Sequence, residues 1–263
     1  MTRIRIAACT DPGARGSNED DLRHGHGPSG TYAVLADGAG GHARGREAAR
    51  RAVASIERAL GDIGVGFAPG SLTQIVRGAH ADIQQRQDSN DRALRMHATV
   101  VVLWVAPDER HVLWSNVGDS RLYRVRHGRA DVLTQDDSVV HQMMLAGVLT
   151  AEQSRRHPQK NHLIAALGIE GGVEPHTVLQ PAELREGDAF LLCSDGWWDG
   201  FEPEDLALAL ARAYAPEDWL ADLAQRIRAR AAPRQDNFSA IAVWVGEPAE
   251  MTIARLNRAP APR

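Results

Sequence analysis

Five aspartates stand beside predicted strands: Asp20 in GSNEDDL, Asp37 in VLADGAGGH, Asp119 in NVGDSR, Asp195 in LLCSDGWWD and Asp236 in RQDNFSAIAV. Carboxylates at strand ends can converge on one site, and hard divalent cations such as Mg2+ or Mn2+ prefer oxygen ligands of this kind. A pair of such ions can activate water against a phosphate ester, so metal-assisted phosphate hydrolysis is the chemistry these residues point to first. Asp37 follows the apolar run YAVLA and precedes Gly38, Ala39, Gly40 and Gly41. The strand fixes the carboxylate while the glycines let backbone approach closely, which makes the Gly38 carbonyl a possible ligand as well. Taken alone, this pattern fits a tight turn equally well. It recurs, however, at Ser194, Asp195 and Gly196 after AFLLC, and two strand-terminal Asp-Gly pairs are harder to dismiss than one. Asp236 lies just before a strand, next to Asn237, and Asp20 follows Glu19 in a polar loop; each is weak evidence alone, and together they supply an acidic shell.

The elements that must position these residues follow from periodicity. TRIRIAACT alternates as a half-buried strand, and TYAVLAD is a second strand that runs into Asp37. From 43 to 60 the pattern is helical, with Val53, Ile56 and Leu60 on one face and Gly61 as a stop. A second helix is expected after a Ser71 cap, with Leu72, Ile75, Val76, Ala79 and Ile83 at helical spacing. ATVVVLWVA, RHVLWSNVGD, RLYRVRHGR and ADVLTQD read as an antiparallel meander. After Asp137 the chain reads helical through VVHQMMLAGVL, TAEQSRRH and NHLIAALG, a flap over roughly 138–168, before strands at VEPHTVLQ and GDAFLLCSD. Helices over 203–214 and 216–230 precede a last strand, NFSAIAVWV, and a tail over 249–263 whose end, RAPAPR, is expected to be disordered. Strand runs separated by helical pairs predict an α+β fold, a four-layer α-β-β-α sandwich with two central antiparallel sheets.

Length and composition bound the rest. A chain of 263 residues supports one domain, expected over 1–248, with one active site. A net charge of -4 gives no reason to expect nucleic acid as the main partner, although it leaves room for a local basic patch. The longest apolar runs, near ATVVVLWVA, are too short to span a bilayer as helices, and MTRIRIAACTD lacks the long apolar core of a leader, so a cytoplasmic protein without membrane contact is expected. Cys9 and Cys193 lie in apolar runs, not in a glycine-rich phosphate-cradling loop followed by arginine, which argues against a cysteine nucleophile.

In order and approximate spacing, DPGARGSNED, VLADGAGGHARG, MHATVVVLWV, NVGDSRLYRVRHG, LTQDDS, LAGVLTAEQSRRHPQKNHLIAALG, LLCSDGWWD and DNFSAIAV resemble the metal-dependent protein phosphatases of the 2C type, over roughly residues 8 to 245. The compact bacterial branch is the nearest in pattern. The resemblance implies a phosphoserine and phosphothreonine phosphatase that uses Mn2+ or Mg2+, acts by direct attack of a water bridging two core ions, and works as a monomer on proteins marked by a serine/threonine kinase. It implies that Asp37 bridges the ions with help from the Gly38 carbonyl, that Asp195 and Asp236 complete the first ion's ligands, and that Glu19 and Asp20 serve the second, mainly through waters. Arg15 would bind the substrate phosphate, a role suited to a planar guanidinium with two parallel donors. Asp119 would hold a third ion with Asp195; Asp199 and Asn237 are secondary candidates.

Two departures stand out. Some relatives carry a histidine directly after the bridging Asp-Gly pair as a general acid, whereas this chain has Ala39; water, or less directly His42, would then supply the leaving-group proton. MHAT stands where Gly-Thr-Thr is more usual, and His97 reads as a packing residue. Trp197 and Trp198 read as packing anchors before cleft residues. The competing readings are a phosphatase of an anti-sigma-factor antagonist in a partner-switching circuit, and a catalytically silent signalling module.

Overall fold

The computed structural model describes residues 4–39, 43–62, 64–87, 95–230 and 233–256. The first half of the chain gives β1 (Ile4–Asp11), β2 (Asp21–Gly27), β3 (Gly30–Ala36), β4 (Gly38–Ala39), α1 (Ala43–Leu60), α2 (Pro69–Gln84), β5 (His97–Ala98), β6 (Val100–Val105), β7 (His111–Val117), β8 (Arg121–Arg126) and β9 (Arg129–Val132). Then follow α3 (Val139–Leu145), α4 (Ala151–Arg155), β10 (His176–Thr177), β11 (Ala182–Glu183), β12 (Ala189–Cys193), α5 (Asp195–Trp198), α6 (Pro203–Leu210), α7 (Pro216–Ala229), β13 (Phe238–Val245) and α8 (Pro248–Leu256). One sheet has the order β1-β13-β12-β8-β9, and the other β10-β7-β6-β3-β2 with β11 also on β7; a two-stranded piece joins β4 to β5.

The period of two along each strand builds the layers. On β13, Phe238, Ala240, Ala242 and Trp244 face the helical layer of α6 and α7. Ile241, Val243 and Val245 face the second sheet instead, where they meet Leu35, Val101 and Leu103. On β6, Val100, Val102 and Trp104 point away from that interface towards α1 and α2, against Ile56, Leu72 and Val76. Helices and sheets thus stack in the order helix, sheet, sheet, helix, and three apolar clusters fill the three gaps. Because both faces of the central strands are buried, β6 and β13 read in the sequence as unbroken apolar runs. Trp219 anchors the outer gap: it is fully buried, donates its indole N–H to the Leu206 carbonyl at 3.0 Å, and lies 6.3 Å from the Trp244 ring. Trp219→Ala is expected to cost about 3–5 kcal/mol with an unchanged denaturant slope in urea titration; a cost under ~1 kcal/mol would contradict this packing role.

Several elements differ from the sequence expectation. NHLIAALG forms no helix: Leu163 bridges to Ser138 and Leu167 to Ala98, so its backbone groups pair with neighbouring loops and strands. Gly168 then turns at φ +85, where an added Cβ would lie 2.3 Å from the Met96 carbonyl. The second helix begins at Pro69 with Ala68 as its cap, two residues before Ser71, because proline fits the first helical turn without losing a bond. The edge strand β2, DLRHGHG, is polar, has no fully buried residue and has no apolar alternation to announce it. The segment read as a tail from 249 starts instead as α8, with Ala249 and Thr252 buried; the expected disorder at the very end lies outside the described residues.

Candidate active site

The β2–β3 hairpin brings Asp20 and Asp37 together, since Asp21 is the register partner of Ala36 and the two aspartates flank that pair. Asp37 is held through its backbone: its N–H donates to Thr99 Oγ1 at 3.1 Å and its carbonyl accepts from Thr99 N at 2.8 Å, while Thr99 Oγ1 also meets Ser120 Oγ at 2.7 Å. Asp195 opens α5 directly after β12, and Asp119 follows β7. The pairing of β1 with β13 carries Asp236 to the loop after β1, where Arg15 Nη2 donates to Asp236 Oδ2 at 2.7 Å. Arg15, Glu19, Asp37, Gly38, Thr99, Asp119, Asp195, Asp236 and Asn237 line a cleft of ≈ 600 Å3, and Asp20 is buried close enough to Asp37 and Asp195 to act on their charges. Asn161 and Leu163, from the segment expected to form the flap, line it too.

Asn237 fastens the arginine loop. Its side-chain amide donates to the Pro12 and Ser17 carbonyls, both at 2.9 Å, and its Oδ1 accepts from Glu19 N at 2.8 Å. Gly13 makes the tight passage possible at φ +60, with Asp236 O 2.2 Å from where a Cβ would sit. Ser194 ties the other side: Oγ donates to Asp20 Oδ2 at 3.0 Å and accepts from Ser239 N at 3.0 Å. Close backbone approach explains a glycine that the sequence did not single out, Gly45, whose added Cβ would meet Glu19 Oε2 at 2.2 Å and the Gly38 carbonyl at 2.7 Å.

Electrostatically the cleft is overloaded with carboxylates. Burial, then Asp20, Asp195, Asp119 and Asp236 in that order, push the Asp37 pKa well above its ordinary value. Asp195 is pushed up by burial and then by Asp119, Asp236 and Asp20. Burial raises Asp20 to about 6 against hydrogen bonds from Ser239 and Ser194, and burial with Asp136 raises Asp119 to about 7. Asp20 Oδ1 is buried without a hydrogen-bond partner. An all-oxygen donor set, with an orphaned carboxylate oxygen and mutually repelling charges, fits a hard divalent cation. Among the described residues no three carboxylate, imidazole or thiol side chains are gathered tightly enough to hold one ion unaided, so a full shell drawn from them needs water and backbone carbonyl oxygen too.

Other expected residues lie elsewhere. Asp199 caps α5 and pairs with Lys160 at 2.5 Å, in a second cavity between the flap and α6. Trp197 is core, and Trp198 donates its indole N–H to the Asp119 carbonyl at 2.9 Å beneath the Arg121 guanidinium, 3.6 Å from the ring centroid. His97 is half-buried and stands across β4–β5 from Ala39. His42 lies outside the described residues. Burial pushes both thiols up, Cys9 modestly and Cys193 strongly, which leaves neither as a ready nucleophile.

The family model described as Protein phosphatase 2C matches residues 14–241, and the chain belongs to that family. It is 32% identical over 208 residues to the serine/threonine protein phosphatase PstP of Mycobacterium tuberculosis, covering 79% of this chain and 39% of that protein. It is 33% identical over 167 residues to the serine/threonine phosphatase stp of Listeria monocytogenes, covering 62% of this chain and 65% of that one. The chain thus spans between about two fifths and two thirds of the length of these curated relatives. The crystal structure of the M. tuberculosis phosphatase PstP/Ppp superposes with a TM-score of 0.81 at 29% identity, over 92% of this chain and 99% of that one. The PstP catalytic domain in complex with two manganese ions gives 0.79 at 28% identity, over 92% and 98%. The fold is that of the metal-dependent protein phosphatases, as the layered sandwich implied.

Proposed function

We propose that this chain is a metal-dependent phosphatase of phosphoserine and phosphothreonine in proteins, acting on targets of a serine/threonine kinase of the same cell. The observation that carries the reading is the cleft itself: four mutually repelling aspartates and a glutamate line it beside one arginine, with a fifth aspartate, Asp20, acting on them from close by. Such a cleft repels a phosphate unless cations first neutralise it. Asp37 with the Gly38 carbonyl, Asp195 and Asp236 would hold two Mn2+ or Mg2+ ions, Glu19 and Asp20 would anchor waters of the second, and Asp119 with Asp195 would hold a third. When bound, such ions activate water and offset phosphoryl charge.

The chain's own residues do the rest. Arg15, released from Asp236, orients the phosphate by two parallel hydrogen bonds, and the Asn237 clamp holds its loop still while it does so. Asn161 and Leu163 shape the rim on which the substrate chain lies. Support comes from the PstP domain that binds two manganese ions and from relatives named as serine/threonine phosphatases.

The test is hydrolysis of an aryl phosphate and of a phosphothreonine peptide, with Mn2+ and with a chelator. Full activity in chelator would overturn the reading. Arg15→Ala is expected to raise KM for both substrates by about tenfold or more while the metal requirement persists, as befits loss of a charge-assisted phosphate contact. An unchanged KM would remove Arg15 from phosphate binding.

A further inference from the structure

The cleft is acidic and the chain carries a net charge of -4, yet one groove on its surface is net basic. It has a volume of ≈ 360 Å3 and lies between β2, the outer side of α1 and the end of α2. Arg23, Arg50, Arg51, Arg58 and Arg86 line it, against Asp21, Glu47 and Asp82. The three carboxylates are already engaged: Asp21 with Arg23, Glu47 with Arg51, and Asp82 with the Ser55 hydroxyl. Arg50, Arg58 and Arg86 are exposed and have no ion-pair partner among the described residues. Three solvated guanidiniums, two on α1 and one just past the end of α2, form a track for anions, because each offers a planar fork to carboxylate or phosphate oxygens.

The groove is also joined to the cleft. Asp21 follows Asp20 directly, and α1 begins with Gly45 against the Gly38 carbonyl and with Arg46 Nε donating to Asn18 O at 2.8 Å. At ~1.5 Å of rise per residue, Arg50 lies ~8 Å and Arg58 ~20 Å along the helix from Gly45. An extended peptide advances ~3.3 Å per residue, so side chains ~3–6 positions from a residue in the cleft reach these arginines.

Resting on the phosphatase reading above, we propose that this groove docks an acidic stretch of the substrate protein, carrying carboxylates or further phosphates, and so selects phosphorylated residues with acidic surroundings. Opposite charge on cleft and groove divides the labour. The reacting phosphate is received where cations gather, and its acidic flank is received by fixed arginines. The attraction is one of solvated charges, so it acts on encounter and weakens with salt.

The experiment has two arms. In the first, a fluorescein-labelled peptide rich in glutamate and free of phosphate is titrated into metal-free protein by anisotropy. Arg50→Gln, Arg58→Gln and Arg86→Gln combined are expected to weaken binding by about tenfold or more, as is raising salt from about 50 to about 500 mM, with the Tm of the variant unchanged. In the second arm, phosphothreonine peptides with a glutamate, phosphoserine or glutamine block ~3–6 positions away are compared with Mn2+ present. Wild type is expected to favour the two anionic blocks by about tenfold in kcat/KM, the triple variant to lose that preference, and aryl phosphate hydrolysis to stay the same in both. Equal peptide binding by the triple variant, a retained preference, or tighter binding of a single-stranded RNA of equal charge through the same arginines would overturn the inference. Failure of aryl phosphate hydrolysis with Mn2+ would count against the phosphatase reading and leave the first arm standing.

Discussion

Asp37→Asn is expected to abolish metal-dependent hydrolysis and, at the same time, to make the metal-free protein more stable. Asparagine keeps the size and most of the contacts but removes a carboxylate that feels four others. If Asp37 is the shared ligand of both core ions, kcat/KM falls by ~10^3 or more, equivalent to about 4 kcal/mol of transition-state stabilisation. Without metal the sign reverses. Wild-type Asp37 either keeps an unfavourable charge or takes up a proton against the pH, and each raised pKa unit costs about 1.4 kcal/mol. The variant escapes that cost, so its metal-free Tm rises, by roughly 2–4 °C per kcal/mol for a chain of this size. Activity within about tenfold of wild type, or a metal-free variant less stable than wild type, would show that Asp37 is a turn former and not a ligand.

The second large effect concerns pH. Burial lifts Asp20 from 3.8 to about 6 and Asp119 from 3.8 to about 7 in the metal-free protein. Between those values the native state binds more protons than the unfolded state, so stability falls as pH rises. The contribution is fully present below pH 3.8 and is lost as pH climbs through about 6 to 7. Alone, Asp20 corresponds to a loss on the order of 3 kcal/mol and Asp119 to one on the order of 4 kcal/mol, and because the carboxylates act on one another the losses do not add. If divalent metal binds these oxygens as proposed, it competes with protons for them, and Mn2+ should stabilise little at pH 5 and strongly at pH 7.5. Thermal melts across this range, with and without Mn2+, test it, and Asp119→Asn isolates one group. A metal-free Tm that does not fall from pH 5 to 7.5 relative to the variant, or a Mn2+ shift that ignores pH, would refute the account.

Much of this cleft was legible in the sequence because its chemistry is local. Asp37 and Asp195 each end an apolar run and precede glycine, a pattern visible without knowing the partners. What joins them is not local. Nothing in DPGARGSNED says that its loop is clasped by Asn237, since that contact depends on β1 and β13 pairing in register from Ile4↔Val245 to Asp11↔Phe238. Likewise NHLIAALG carries apolar residues at helical spacing, but Ala166 and Leu167 are buried by tertiary contact at the end of a sheet, and packing outweighs propensity. The polar strand β2 escaped notice because an edge strand needs no buried face, and Asn161 and Leu163 because a rim position leaves no mark in composition. The arginines of the basic groove were visible one by one, but only the packing of α1 on α2 assembles them.

The register of the first and last strands has a consequence for synthesis of the protein. Arg15, Glu19 and Asp20 are synthesised well before Asp236 and the strand that aligns it. Until β13 inserts between β1 and β12, Asp236 and the loop after β1 that carries Arg15 have no sheet to hold them beside Asp195. If these carboxylates hold metal as proposed, a growing chain has no complete site to fill, and ion capture becomes a late event that reports completion of the sandwich.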